Sequence, residues 1–166
     1  MIEYINYKGY RYFLNQGITK KGAPKYFFSK DIKGKILDEI PKGYEIYENP
    51  DGLVFLRKIY PQIITDAEIN VVKSCIPKGI NSKVEVKKKI ITIYISDGCG
   101  LYQALMRFVL VDEKTREFEI QRYCFRGSID DWIELDTSRD LKNLANRYCI
   151  HLGKDSFYEL SYFCQP

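Results

Sequence analysis

The spacing of apolar side chains marks two helices. Leu141, Leu144, Ala145, Tyr148 and Cys149 fall at i, i+3, i+4, i+7 and i+8, a stripe that shares one helical face. It predicts a helix over about 139–150, starting near Thr137 or Ser138 and stopped by Gly153. A second stripe, Ile69, Val72 and Ile76, follows a sharper start signal. Thr65 with Glu68 three residues on spells a capping box, and Ile64 with Ile69 sets a hydrophobic staple across it. Pro77 and Gly79 stop this helix, giving 66–75.

Elsewhere the pattern is extended. Runs rich in Tyr, Phe, Ile and Val, bounded by turn residues, predict strands at 9–14, 25–29, 84–86, 90–95, 104–111 and 116–125. A long hairpin loop is expected at 15–24, and a short helical turn at 33–40 before Pro41. Residues 132–135 predict a short strand or helical turn, and 157–163 a closing strand.

The most sharply written stretch is 43–58, GYEIYENPDGLVFLRK. Pro50 presets φ for a type I turn, Asn49 accepts hydrogen bonds from the turn backbone, and Gly52 supplies the positive φ that closes a bulge. A loop of Pro50, Asp51 and Gly52 fixes the register. It sets Asn49 opposite Leu53, Glu48 opposite Val54, Tyr47 opposite Phe55, Ile46 opposite Leu56, Glu45 opposite Arg57 and Tyr44 opposite Lys58. The resulting aromatic, aliphatic and opposite-charge pairs each contribute about 0.2–1 kcal/mol.

Strands, helix, strands, helix and strand, joined mostly by hairpins, predict an α+β fold of mainly antiparallel strands. The chain of 166 residues reads as one compact unit, 1–166. The polar, turn-rich stretch 77–83 offers a sub-division into a basic, β-rich 1–77 and a β-rich 84–166, each with its helix.

Composition adds constraints. Hydrophobic residues make up 45%, which argues against disorder. No apolar run approaches the roughly 18 residues of a membrane span, and the first residues lack a basic-then-apolar signal layout, so no membrane partner and a cytoplasmic location are expected. Cys75, Cys99, Cys124, Cys149 and Cys164 form no CxxC, so neither a zinc ribbon nor a disulfide framework is indicated. Residues 1–90 carry 17 Lys+Arg against 10 Asp+Glu, and 91–166 carry 9 against 12. A basic first half attracts polyanions, although Lys- and Tyr-rich composition also follows from AT-rich coding sequence.

Three constellations hold candidate chemistry. Cys99, between two glycines, paired with the single histidine, His151, would form a thiol–imidazole dyad, with Asp97 or Asp155 orienting the ring. Asp130, Asp131, Glu134 and Asp136, with Glu117 and Glu119, are dense enough in carboxylates to invite Mg²⁺ or Mn²⁺. Tyr10, Tyr12, Arg11, Lys20, Lys21 and Lys25, with Tyr26, Phe27 and Phe28, combine rings that stack bases with cations that neutralise phosphates; Lys87, Lys88 and Lys89 would extend that patch. Each has a plain structural counterpart: a tight turn, a solvated acidic face, and core aromatics beside soluble lysines.

Phosphate loops, dinucleotide fingerprints, nucleophile elbows and HExxH are all absent from the sequence. No cofactor and no metal ligand set is indicated. The leading expectation is a binding protein without catalysis, whose partner is another protein or a second copy. Nucleic-acid binding through the first half is the alternative, and a cysteine- or metal-dependent enzyme the third.

Overall fold

The computed structural model describes residues 1–126 and 129–161. The fold is α+β with antiparallel sheets and two α-helices, as the pattern predicts. The chain divides at Tyr60/Pro61 into two units, Met1–Tyr60 and Pro61–Pro166. The stretch 77–83 lies inside the second of these.

The first unit contains β1 (Glu3–Ile5), β2 (Arg11–Ile18), β3 (Pro24–Ser29), β4 (Lys35–Ile36), β5 (Tyr44–Glu48) and β6 (Val54–Lys58). Strand β2 is central, with β3 on one side and β1 and β4 on the other, while β5 and β6 form a separate hairpin. Its register matches the expected pairing at every position from Tyr44–Lys58 to Glu48–Val54. The turn is closed by Gly52 N–H donating to Asn49 O and Asn49 N–H donating to Leu53 O, both at 2.9 Å.

Two expectations for this unit change. Strand β2 runs on to Ile18, paired with Pro24, so the loop shrinks to 19–23. Gly17 hid this strand, yet it serves it: a Cβ there would lie 3.3 Å from the Phe27 ring. The helical turn expected at 33–40 is instead β4, paired with β2. Buried Asn15 accepts the Lys33 N–H at 2.8 Å, drawing the segment into the sheet. Gly34 permits the approach, since a Cβ would meet Gln16 O at 2.8 Å.

The second unit opens with α1 (Asp66–Cys75), followed by β7 (Ser82–Lys87), β8 (Ile90–Ser96), β9 (Tyr102–Asp112), β10 (Glu117–Arg126) and β11 (Ile129–Ser138). Helix α2 (Leu141–Cys149) and a 3-10 helix (Asp155–Glu159) follow. The five strands form a meander in the order β11-β10-β9-β8-β7. Ile91, Ile93, Met106, Phe108, Leu110, Phe118 and Ile120 from the sheet bury against Val72 of α1 and the full α2 stripe. The Thr65–Glu68 capping box is formed in both directions.

Helix α2 starts later than expected, at an Asp140 N-cap. The reason is β11, which runs to Ser138 opposite Phe118, far beyond the short element expected at 132–135. A register shift at Ile120/Gln121 breaks its alternation and turns Leu135 fully into the core, masking the strand in the sequence. The expected closing strand is a 3-10 helix through Glu159, while 162–163 lie outside the described residues.

Candidate interaction surface

The register of β5 and β6 puts Glu45, Tyr47, Asn49, Leu53, Phe55 and Arg57 on one face. The opposite face carries Val54, which is buried, and Tyr44, whose ring meets Tyr26 edge-on at 6.0 Å. The first face is open: Leu53 is 50% exposed and Phe55 45%. Tyr47 stacks beside Phe55 at 6.3 Å between centroids. The Arg57 guanidinium lies 4.3 Å from the Tyr47 centroid while its Nε donates to Glu45 at 2.7 Å. Rings and ion pair thus hold one another flat.

The turn is anchored by the β1–β2 connection. Asn6, itself buried, donates from Nδ2 to Gly52 O at 2.6 Å, and Tyr7 donates from its hydroxyl to Pro50 O at 3.0 Å. Glu48 accepts from the Tyr7 backbone at 2.9 Å and from the Tyr4 hydroxyl at 2.8 Å. That hydrogen bond, with burial and the Glu48 charge, raises the Tyr4 pKa above its ordinary value. Half-exposed Tyr7 therefore sits beside the turn that presents Leu53 and Phe55.

The first unit as a whole is rich in uncovered apolar surface. Among the described residues sixteen large hydrophobics are exposed, and eleven of them lie in Met1–Tyr60. The same unit fully buries only Tyr12, Leu14 and Val54 among its hydrophobics. It also carries the chain's whole net charge, with 11 Lys+Arg against 7 Asp+Glu, whereas Pro61–Pro166 has 15 of each.

The expected nucleic-acid residues are not gathered. Tyr12 is buried in the core, and exposed Arg11 pairs with Glu3 at 3.0 Å. Tyr10 is exposed, with the Lys30 ammonium 3.8 Å from its centroid. Exposed Lys20, Lys21 and Lys25 sit at the other end of the β2–β3 hairpin, roughly 25 Å away along the strands. Lys87, Lys88 and Lys89 belong to the second unit, in and after β7.

Cys99 is exposed in the loop before β9, where its N–H donates to Asp97 Oδ1 at 2.7 Å. His151 Nδ1 pairs with Ser156 Oγ at 2.8 Å. The structure brings together Asp97 and Asp155 instead, on the walls of a cleft of about 280 Å³ that also has Gln103, Lys154 and Phe157. Neither Cys99 nor His151 lines that cleft.

The acidic residues separate as well. Asp136 turns toward α2, where it pairs with Arg147 and accepts from the Tyr148 hydroxyl at 3.3 Å. Glu119 is hydrogen-bonded to Gln121, and Asp131 Oδ1 accepts the Trp132 N–H at 2.7 Å. Among the described residues no group of three ligating side chains is close enough to hold a metal ion. Gln121 accepts from Arg107 at 2.6 Å, and that guanidinium lies 4.3 Å from the Trp132 centroid. Burial lowers the Arg107 pKa, while Asp131 and Glu119 oppose the fall.

Turn chemistry and register explain the hairpin without a ligand, but they do not fix which of its faces stays open. The signal of an open apolar face was present: Tyr47 with Phe55 on one face, and Ile46, Leu56 and Val54 on the other, make both faces apolar. A two-stranded ribbon needs only one apolar face for its own unit. Comparison with family models, curated proteins and solved structures gives no match, so function must be argued from this geometry.

Proposed function

We propose that this chain is a protein-binding module whose first unit docks a protein partner through the open hairpin face of Leu53, Phe55 and Tyr47. The observation that carries the reading is the exposure of eleven large hydrophobics on a unit of sixty residues with three fully buried ones. Among the exposed ones, Leu53 and Phe55 share the open hairpin face with the Tyr47 ring, and a contiguous exposed apolar patch marks an interface. The Tyr47 and Phe55 rings and the Arg57–Glu45 pair already contact one another, which lowers the side-chain entropy lost when they are covered. Arg57 and Tyr47 are also residue types enriched at interface centres. Free thiols at Cys75, Cys99, Cys124 and Cys149 support a reducing, cytoplasmic setting. No described helix is long and apolar enough to cross a membrane.

The test compares the wild-type chain with a Leu53→Ser/Phe55→Ser variant. Sedimentation velocity over a dilution series reads self-association, and affinity capture reads other proteins. Either a second copy or a captured protein is expected on the wild type and lost from the variant, with the melting curve retained. A strictly monomeric wild type that captures nothing the variant does not also capture overturns the proposal.

A second reading has its own observation. Net positive charge is confined to the first unit, and Lys8, Lys30 and Arg57 lie over its tyrosine rings. Nucleic-acid binding there predicts fluorescence-anisotropy signals with short DNA or RNA that weaken steeply with salt. Binding unaffected by Leu53→Ser/Phe55→Ser but lost with Lys8 and Lys30 replaced by Gln would favour this reading over protein docking.

A further inference from the structure

We infer that Cys75 and Cys149 form a thiol pair that a low-molecular-weight disulfide oxidises to a bond stapling α1 to α2. Cys75 is the last residue of α1 and Cys149 the last of α2, and the two helices pack on each other. The Cys75 thiol donates to Asn146 Oδ1 at 3.1 Å, which places its sulfur against the final turn of α2. Asn146 and Cys149 are three apart on that helix, so their Cβ atoms are neighbours at about 5–6 Å. Bond formation requires the Cys75 sulfur to leave the amide and turn toward the second thiol by rotation about its Cα–Cβ bond.

The two thiols differ in access. Cys149 is fully buried within the α2 stripe, whereas Cys75 is partly exposed. Burial pushes the Cys149 thiol pKa up, and the Cys75 sulfur beside it pushes the same way. The accessible Cys75 is therefore the attacking group and Cys149 the resolving one.

Cys75, as thiolate, attacks one sulfur of the small disulfide. The S–S bond of that molecule breaks, one small thiol leaves with the Cys75 proton, and a mixed disulfide remains on Cys75. Cys149 then attacks the Cys75 sulfur. The mixed bond breaks, the Cys75–Cys149 bond forms, and the second small thiol leaves with the Cys149 proton. Two protein thiols are oxidised and one disulfide is reduced to two thiols.

The experiment uses the full chain carrying Cys99→Ser and Cys164→Ser, which removes the thiol exposed among the described cysteines and the one outside the described residues, and glutathione disulfide as the probe. Intact mass and peptide mapping after denaturing alkylation should show the loss of two hydrogens and a crosslink between the peptides of Cys75 and Cys149. The closed loop spans most of the second unit, so the unfolding midpoint should rise by roughly 10 °C. Cys149→Ala should instead accumulate a stable glutathione adduct on Cys75, and Cys75→Ser should form neither product. Three results overturn the inference: both thiols staying reduced, the parent chain stopping at the same Cys75 adduct as Cys149→Ala, or the crosslink mapping to another pair.

Discussion

Replacing Gly52 by valine attacks the hairpin at two points, and the structure separates their sizes. Gly52 has φ of +81°, a conformation that costs an L-residue about 1–2 kcal/mol and a β-branched one more. A Cβ would also lie 3.1 Å from both Asn6 Nδ2 and the Tyr7 ring. Asn6 is buried and spends its amide on Gly52 O, so moving it strands a buried polar group at about 1–3 kcal/mol. The sum is about 2–5 kcal/mol. Gly43 supplies the control, since its φ is +84° but a Cβ there meets nothing within 4 Å. Gly43→Val should therefore cost only the backbone part. The assay is urea unfolding combined with hydrogen exchange at Gly52 and Asn49, whose amides close the turn. Gly52→Val should be clearly less stable than Gly43→Val, with both amides exchanging faster. Equal losses for the two variants would refute the Asn6 contact, and no loss for either would refute the bulge.

Other consequences follow from single contacts. Thr65→Ala removes the N-cap of α1 and should cost about 1 kcal/mol by urea unfolding. Burial favours a neutral Glu68, but hydrogen bonds from Arg116 and Thr65 prevail and hold its pKa below the ordinary value. Its contribution is present above the unfolded-state pKa and lost as pH falls through the lower folded-state value, so Glu68→Gln should flatten the acid limb of a stability–pH curve. Burial first, and Asp136 next, raise the Tyr148 pKa to about 12, against 10.0 when unfolded. Its contribution is whole below pH 10 and is lost as pH rises toward 12, so Tyr148→Phe should resist alkaline unfolding better than the wild type. Arg107→Ala uncovers the chain's single tryptophan and should red-shift its emission, while an unchanged spectrum would deny the Arg107–Trp132 contact.

What the sequence revealed depended on how local the determining physics was. The hairpin register, the Thr65 capping box and the α2 stripe rest on residues within one turn or one helix, and all were legible. Strand β4 was not, because its cause is Asn15, eighteen positions away from Lys33. Strand β11 was obscured by its own bulge, which sends Leu135 inward out of phase with an acidic, solvent-facing run. The last segment misled for a different reason. Phe157 and Leu160 are both buried at a spacing of three, which suits a 3-10 turn, yet the aromatic content around them reads as strand. The candidate surface was half legible: its residues and register were readable, whereas its exposure depends on which hairpin face the rest of the unit covers.

The central claim is that the face of Leu53, Phe55 and Tyr47 is covered by a protein partner. Carbene footprinting of the chain in its host cell, compared with the dilute purified chain, reads that directly. Ile150 and Tyr158, half-exposed in the second unit, serve as internal references. Selective protection of Leu53 and Phe55 in the cell, with Ile150 and Tyr158 labelled equally in both samples, is the predicted result. Equal labelling of all four residues in both samples would contradict the account.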